Sequence, residues 1–118
     1  MYRKTFVEVN IDHLKDNVSN IIKKYNNYKY YIAMVKSNAY GHGLYIVNDL
    51  IDSGINYFAV SSLEEAIEIR KYNKDIPVLC VEPIEIDSVD AAIKNNITLT
   101  IISYDYLKRL INKNKSSM

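Results

Sequence analysis

Short apolar runs alternate with amphipathic stretches along almost the whole chain. Four of these runs lie at residues 30–36, 57–60, 76–81 and 97–102, and polar or turn-forming residues follow each of them. A continuous apolar run of this length is typical of a strand that is buried on both faces. Strand–helix units that repeat about every 20 to 25 residues predict an α/β fold, in which helices connect the strands of a parallel sheet.

Helical periodicity fills the segments between the predicted strands. Ser61 and Ser62 each precede a glutamate by three positions, which is the capping-box pattern of a helix start. Helices are predicted at residues 11–25, 43–53, 62–72, 88–95 and 103–112, a further strand at 5–10, and a frayed polar end at 112–118. The residues predicted to face the core are Ile11, Leu14, Val18, Ile21, Ile22 and Tyr25 in the first helix, and Leu107, Leu110 and Ile111 in the last.

The composition argues against several classes of function. The 118 residues are 48% hydrophobic and 25% charged, with a net charge of +1, as in an ordinary globular domain. The basic residues are scattered, so no nucleic-acid partner is expected. No apolar run reaches the roughly 20 residues of a membrane helix, and the N-terminus lacks the apolar segment of a signal peptide. We expect a cytoplasmic protein in which residues 1–118 belong to one domain.

The single cysteine and the two histidines indicate no metal site. Cys80 lies in the apolar run 77–81, which predicts a buried and unreactive thiol in a reducing compartment. His13 is expected on the solvated side of its helix, and His42 stands between two glycines. These three residues do not have the spacing of metal ligands.

One lysine ends the first of the four apolar strands. The run from Ala33 to Gly43 reads AMVKSNAYGHG, so a polar turn with two glycines follows Lys36 directly. A lysine at such a junction is partly desolvated, which disfavours its ammonium form. The amine is then available for carbonyl chemistry.

These eleven residues resemble the pyridoxal-phosphate attachment segment of the alanine racemase family, whose usual form is AVVKANAYGHG. Nine of the eleven positions agree, and Met34 and Ser37 depart. The segments VEVNID at 7–12 and AVSSLEEA at 59–66 resemble two further motifs of the family, in the same order. Over nearly its whole length, the chain is similar to the N-terminal portion of this fold-type III family.

The resemblance implies a (β/α)₈ TIM barrel with the cofactor at the C-terminal ends of the strands. The four predicted strands would then be about the first four strand–helix units, with Lys36 at the end of the first. A barrel needs eight strands to close, so four strands leave two unpaired edges and an uncovered apolar face. We expect that the C-terminal half of the barrel and the β domain are absent, through truncation or a broken reading frame.

The resemblance also implies roles for individual residues. Lys36 corresponds to the lysine that anchors pyridoxal phosphate and then acts as the base on one face of the substrate Cα. Tyr40 corresponds to the tyrosine whose hydroxyl reaches the cofactor phosphate. Gly41 and Gly43 would permit a tight turn that leads into the next helix. His42 would start that helix or support the site without reacting.

Glu82 departs from the family pattern, which commonly has a small residue near the end of this strand. The mouth of the barrel is therefore expected to differ at this position, and the substrate preference stays open. The second catalytic tyrosine and the arginine that faces the pyridine nitrogen have no counterpart in the chain. The fragment alone is therefore expected to be inactive.

The function that the resemblance implies is interconversion of L- and D-alanine on pyridoxal phosphate, which supplies D-alanine for peptidoglycan. The partners implied are a small amino-acid substrate and, in the complete protein, a second copy in a homodimer. Neither nucleic acid, nor membrane, nor metal is expected. The alternatives are a serine or basic amino-acid racemase of the same fold, or a non-catalytic fragment that binds pyridoxal phosphate.

Overall fold

The computed structural model describes residues 7–117 of the chain. In this part of the chain, a parallel sheet of four strands has the order β1-β2-β3-β4, so each strand pairs with the next one in the sequence. The strands are β1 (Ile32–Met34), β2 (Tyr57–Val60), β3 (Val78–Cys80) and β4 (Thr98–Leu99). The predicted α/β fold with parallel strands is confirmed.

Helices precede, connect and follow the strands, and the side chains of Asn10, Ser62 and Ser103 cap three of them. They are α1 (Ile11–Lys24), α2 (Lys36–Tyr40), α3 (Val47–Asp52), α4 (Leu63–Arg70), α5 (Val89–Lys94) and α6 (Tyr104–Ser117), with 3₁₀ turns at Leu44–Ile46 and Ile86–Ser88. Of the two predicted serine–glutamate pairs, Ser62 and Glu65 form the capping box at the start of α4. The serine hydroxyl accepts from the Glu65 N–H, and the glutamate carboxylate accepts from the Ser62 N–H.

One face of the sheet forms the core with the helices. The register places Ala33 beside Phe58, and Phe58 beside Val78. Phe58 and Val78 are fully buried, in one cluster with Val47 of α3 and Ile69 of α4. Burial of a side chain of this size contributes about 1.5–3 kcal/mol, so this layer provides much of the stability of the unit.

The opposite face of the sheet is open in the part of the chain that the structure describes. Ile32 and Met34 alternate with Ala33, so their side chains lie on this second face. They are 54% and 37% exposed. Tyr57, which pairs with Ile32, is half-buried on the same face. β1 thus exposes apolar side chains on this face, in agreement with the strand count, whereas Ala59, which pairs with Met34, is buried on it.

Arg70 ties the loops before β3 and β4 to the end of α4. Its Nε donates to the Asn95 carbonyl at 2.8 Å, and its Nη2 donates to the Asn96 carbonyl at 3.0 Å. Its Nη1 donates to the carbonyls of Ile76 and Asn73, at 2.7 and 3.2 Å. One side chain therefore satisfies four backbone acceptors in two loops.

The predicted strand at residues 5–10 is not a strand where the structure describes it. Residues 5 and 6 lie outside the described residues, and residues 7–10 have no strand pairing. Asn10 is instead the N-cap of α1, since its side-chain oxygen accepts from the His13 N–H at 3.0 Å. The strand predicted at 57–60 is confirmed with the same bounds, whereas β1, β3 and β4 are shorter than their apolar runs, because pairing with a neighbour sets the length of a strand as much as apolar character does.

The predicted helix at 43–53 is present as a 3₁₀ turn followed by α3. In α1, the predicted inward positions Ile11, Leu14 and Val18 pack against the core. Ile21 and Tyr25 were also predicted to face the core, but both side chains are exposed. Since no residue of α1 is fully buried, the helix covers the core at its margin.

The last helix is longer than predicted and presents a different residue to the core. α6 continues to Ser117, so the prediction of a frayed end is wrong for residues 112–117. Ile111 is exposed and Tyr106 is buried in its place, with its hydroxyl donating to the Ile84 carbonyl at 2.6 Å. A buried tyrosine with a partner for its hydroxyl anchors the helix as well as an aliphatic residue would. Within residues 7–117, no helix combines the length and apolar character needed to cross a membrane.

Candidate active site

The C-terminal edge of the sheet carries Lys36. One residue beyond β1, the Val35 N–H donates to the Ala59 carbonyl at 2.9 Å, and Lys36 follows directly. At the same edge, the Val81 N–H donates to the Val60 carbonyl at 2.8 Å. The strands are parallel, so their C-terminal ends meet here, at the edge where α/β folds bind their ligands.

The backbone makes a left-handed turn directly after Lys36. Ser37, Asn38, Ala39 and Tyr40 have φ angles between +53° and +57°. A left-handed helical conformation costs about 1–2 kcal/mol for each residue with a Cβ, and asparagine visits it more readily than the other three. Four such residues in succession persist only because the surrounding structure holds them, as is usual for strained backbone at functional sites.

Asn38 supports this turn from within. Its side-chain Oδ1 accepts from the Leu44 N–H at 3.0 Å. Its carbonyl accepts from the Gly43 N–H at 2.8 Å and from the Gly41 N–H at 3.2 Å. The two glycines have φ angles of +94° and +91°, where any side chain would be strained. They permit the tight turn, as predicted.

Glu65 connects the left-handed turn to the end of β2. Its Oε2 accepts from the Ser37 N–H at 2.6 Å. Its Oε1 accepts from the N–H groups of Ser61 and Ser62, at 3.0 and 3.1 Å. Hydrogen bonds to an ionised acceptor belong to the stronger class. A single half-buried carboxylate thus joins the C-terminal ends of β1 and β2.

The amine of Lys36 is available at this edge. The residue is half-buried, and within residues 7–117 its side chain takes part in no hydrogen bond or ion pair. The Glu65 carboxylate is satisfied by backbone amides rather than by this amine. The Lys36 Nζ can therefore react with a carbonyl group without first breaking a contact within this part of the chain.

Tyr40 ends the turn that Lys36 begins. The Tyr40 side chain is 59% exposed and lines a cavity of about 330 Å³ beside the N-terminal segment. Lys36 does not line this cavity, so the structure brings the two residues onto one turn but not into one cavity.

Both histidines border the same cavity as Tyr40. His42 Nδ1 lies 3.0 Å from the Ala39 carbonyl, to which it can donate, so this side chain supports the turn. His13 is exposed, as predicted. Among the described residues, no group of three histidine, cysteine, aspartate or glutamate side chains is placed to hold a metal ion.

A second cavity, of about 180 Å³, opens at the ends of β2 and β3. Cys80 and Glu82 line it together with Glu64. Cys80 is fully buried, and this burial raises the pKa of its thiol, in agreement with the predicted unreactive thiol. Glu82 is exposed at the rim, so the residue that departs from the family pattern does lie at the strand ends.

Sequence reasoning singled out Lys36 and Tyr40 as candidates and missed the side chains that hold the turn between them. The capping-box pattern in the sequence predicted the contact of one Glu65 oxygen with the start of α4. The contact of its other oxygen with Ser37 spans 28 positions and depends on how β1 and β2 pair. For the left-handed backbone, the signals in the sequence were Asn38 and the two glycines.

The chain is similar to known racemases along most of its length. The family profile described as "Alanine racemase, N-terminal domain" matches residues 9–117. The alanine racemase of Halalkalibacterium halodurans is 37% identical over 114 residues, which cover 95% of this chain and 29% of that protein. A solved structure of alanine racemase from Clostridium difficile 630 matches with a TM-score of 0.87 at 28% identity, over 99% of this chain and 31% of that one.

A histidine racemase from Leuconostoc mesenteroides matches with a TM-score of 0.78 at 22% identity, over 87% of this chain and 29% of that one. At that identity the similarity shows the fold alone. The sheet, its helices and the matches to alanine racemases define the class: part of a TIM barrel of the kind found in a family of racemases, which are isomerases. The chain belongs to the alanine racemase family and matches its N-terminal portion.

Proposed function

We propose that the chain is the N-terminal part of a pyridoxal-phosphate-dependent alanine racemase, which interconverts L- and D-alanine. The observation that carries the proposal is the position of Lys36, at the C-terminal end of β1 and one left-handed turn before Tyr40. The identity of 37% to a known alanine racemase supports it. The chain spans 29% of that relative's length, so the proposal concerns a protein of full family length.

The residues at this edge fit the cofactor in two respects. Pyridoxal phosphate carries an aldehyde, and the amine of Lys36 is the group that can condense with it. The Tyr40 hydroxyl is a donor suited to a phosphate oxygen. The amides of Ser61 and Ser62 are already occupied by Glu65. We therefore assign the phosphate to Tyr40 and to segments other than the start of α4.

When bound, pyridoxal phosphate supplies an electron sink that acidifies the Cα proton of an amino acid. The task of this chain is to hold the cofactor at Lys36 Nζ and, once that amine is free again, to remove or return the Cα proton on one face. Tyr40 Oη fixes the phosphate end and so orients the ring. The base on the opposite face is assigned to a residue beyond this chain.

The second candidate is a racemase of the same fold that acts on serine or on a basic amino acid. The specific observation that favours a basic substrate is the exposed Glu82 carboxylate at the end of β3, because a carboxylate attracts a cationic side chain. The third candidate is a non-catalytic protein that binds pyridoxal phosphate. For the leading candidate, we propose a cytoplasmic homodimer that supplies D-alanine for peptidoglycan.

The test is a racemisation assay on the protein of full family length that contains this segment, with pyridoxal phosphate added. L-Alanine, L-serine and L-lysine are offered separately, and the formation of the D-isomers is followed. The proposal expects the highest kcat/KM for L-alanine. A preference for L-serine or L-lysine would establish the second candidate, and bound cofactor without turnover on any of them would establish the third.

A further inference from the structure

The Glu65 carboxylate makes more contacts than a helix cap requires. In the capping box of α4, Oε1 accepts from the N–H groups of Ser61 and Ser62. This leaves Oε2, which accepts from the Ser37 N–H at 2.6 Å. Since one oxygen completes the cap, the cap does not account for the contact with Ser37.

A hydrogen bond at the Ser37 N–H acts on the backbone directly next to Lys36. It is the first amide after Lys36, and Ser37 is the first of four successive residues with positive φ. Left-handed backbone is disfavoured for residues that carry a Cβ, so an external contact at its start helps to hold the conformation. A tether at this atom also fixes the direction in which the chain leaves the Lys36 Cα.

We propose that Glu65 is a positioning residue for Lys36. Its carboxylate holds the left-handed turn against the end of β2 and thereby sets where the Lys36 amine lies. The inference rests on the proposed function, because it takes Lys36 as the residue that binds pyridoxal phosphate. If Glu65 acted only as a helix cap, its substitution would affect α4 and not the turn after Lys36.

Glu65→Gln separates the two tasks of this side chain. Glutamine offers one acceptor oxygen, and when that oxygen keeps the cap at Ser61 and Ser62, the amide nitrogen faces the Ser37 N–H as donor against donor. Ser62→Ala removes the capping hydroxyl but leaves the Glu65 carboxylate for Ser37. Glu64→Gln removes an equal charge one position away, from an exposed residue.

The first measurement uses the cofactor. The protein of full family length and its variants are titrated with pyridoxal phosphate by absorbance, and the product trapped by borohydride is mapped by mass spectrometry. We expect Glu65→Gln to weaken association at Lys36 by about ten- to hundredfold, the range of one hydrogen bond to a charged acceptor. Glu64→Gln and Ser62→Ala should bind as the parent does.

The second measurement needs no cofactor. Hydrogen–deuterium exchange is followed at residues 37–40 and in α4 of the unliganded chain. Glu65→Gln should speed exchange in the turn and leave α4 unchanged, whereas Ser62→Ala should speed exchange at the start of α4 and leave the turn unchanged. Faster exchange in α4 alone for Glu65→Gln would show a cap only, and would overturn the inference.

The inference and the proposed function fail in different ways. If the parent chain carries the borohydride label on a lysine other than Lys36, the proposed function is wrong and the positioning role is wrong with it. If the parent is labelled at Lys36 and Glu65→Gln leaves both the association constant and the exchange rates unchanged, the positioning role of Glu65 alone is wrong.

Discussion

Lys36 and Tyr40 are the two ends of a single five-residue segment whose backbone is left-handed after its first residue. The strained backbone between them fixes their relative placement. The segment is tethered near its start, where the Ser37 N–H donates to Glu65 at 2.6 Å. A lysine and a tyrosine on one rigid unit suit a cofactor that is held through two separate groups, an aldehyde and a phosphate.

The first prediction concerns the attachment residue. Borohydride reduction of the protein of full family length with bound pyridoxal phosphate should place the label on Lys36, because this half-buried residue lies at the strand end. Lys36→Ala should lower racemisation to background, since the anchor and one base are lost together. Lys74→Ala, at an exposed lysine, is the control and should keep parental activity. Label on Lys74 or another lysine would contradict the assignment.

The second prediction concerns the phosphate contact. Tyr40→Phe should weaken cofactor binding by about ten- to hundredfold, because a hydrogen bond to a charged acceptor is worth about 1.5–3 kcal/mol. The rate at saturating cofactor should change less, since the hydroxyl holds the phosphate and does not react. Tyr45→Phe, at another exposed tyrosine, is the matched control. An unchanged dissociation constant for Tyr40→Phe would exclude the phosphate role.

The sequence predicts those parts of the fold and site that depend on local pattern. The apolar runs and the helical stretches between them were sufficient to predict the parallel sheet, because a strand buried on both faces differs in composition from an amphipathic helix. The end of one run placed Lys36 at the strand terminus. Ser62 and Glu65 were recognisable as a capping box because their contacts span three or four residues.

The remaining features depend on contacts between distant parts of the chain. No local pattern brings Glu65 to Ser37, or Arg70 to the carbonyl of Asn95, since both contacts follow from how neighbouring strands pair. Tyr106 rather than Ile111 is buried because the Tyr106 hydroxyl can donate to the Ile84 carbonyl. A period of 3.6 residues does not distinguish such alternatives.

The third prediction concerns the loops that Arg70 holds. Arg70→Met should lower the free energy of unfolding by about 2–4 kcal/mol, because four backbone carbonyls lose their donor. Lys71→Met is the matched control, since Lys71 is exposed and pairs with Glu68 at the surface, where such pairs contribute little. Urea unfolding followed by circular dichroism gives both values. Equal midpoints for the two variants would refute the role of Arg70.

The fourth prediction concerns the buried thiol. Burial raises the pKa of Cys80, so at pH 7.5 its thiolate fraction is smaller than that of a free thiol, and it grows as the pH rises. Alkylation by iodoacetamide should therefore be slower than for glutathione at pH 7.5 and should accelerate at higher pH. In urea the rate should approach that of glutathione, because the shift depends on the fold. Rapid labelling in native buffer would contradict this account.

The fifth prediction concerns residues 1–118 on their own. Ile32 and Met34 are 54% and 37% exposed on one face of the sheet, and a parallel sheet is stable when both faces are covered. The isolated chain should therefore self-associate through this face, and its unpaired strand edges should favour the same outcome. Sedimentation velocity measures the species formed.

A pair of variants shows whether this face is responsible. Ile32→Lys together with Met34→Lys should reduce self-association, whereas Ile93→Lys, at an exposed residue of α5 on the outside of the helical layer, should not. The isolated chain should also show no racemisation with added pyridoxal phosphate, because the proposed function gives Lys36 one face of the substrate Cα and assigns the base on the other face to a residue beyond this chain. A monomer with cofactor-dependent turnover would show that residues 1–118 form a complete catalytic unit, and would overturn the view that they are the first part of a barrel.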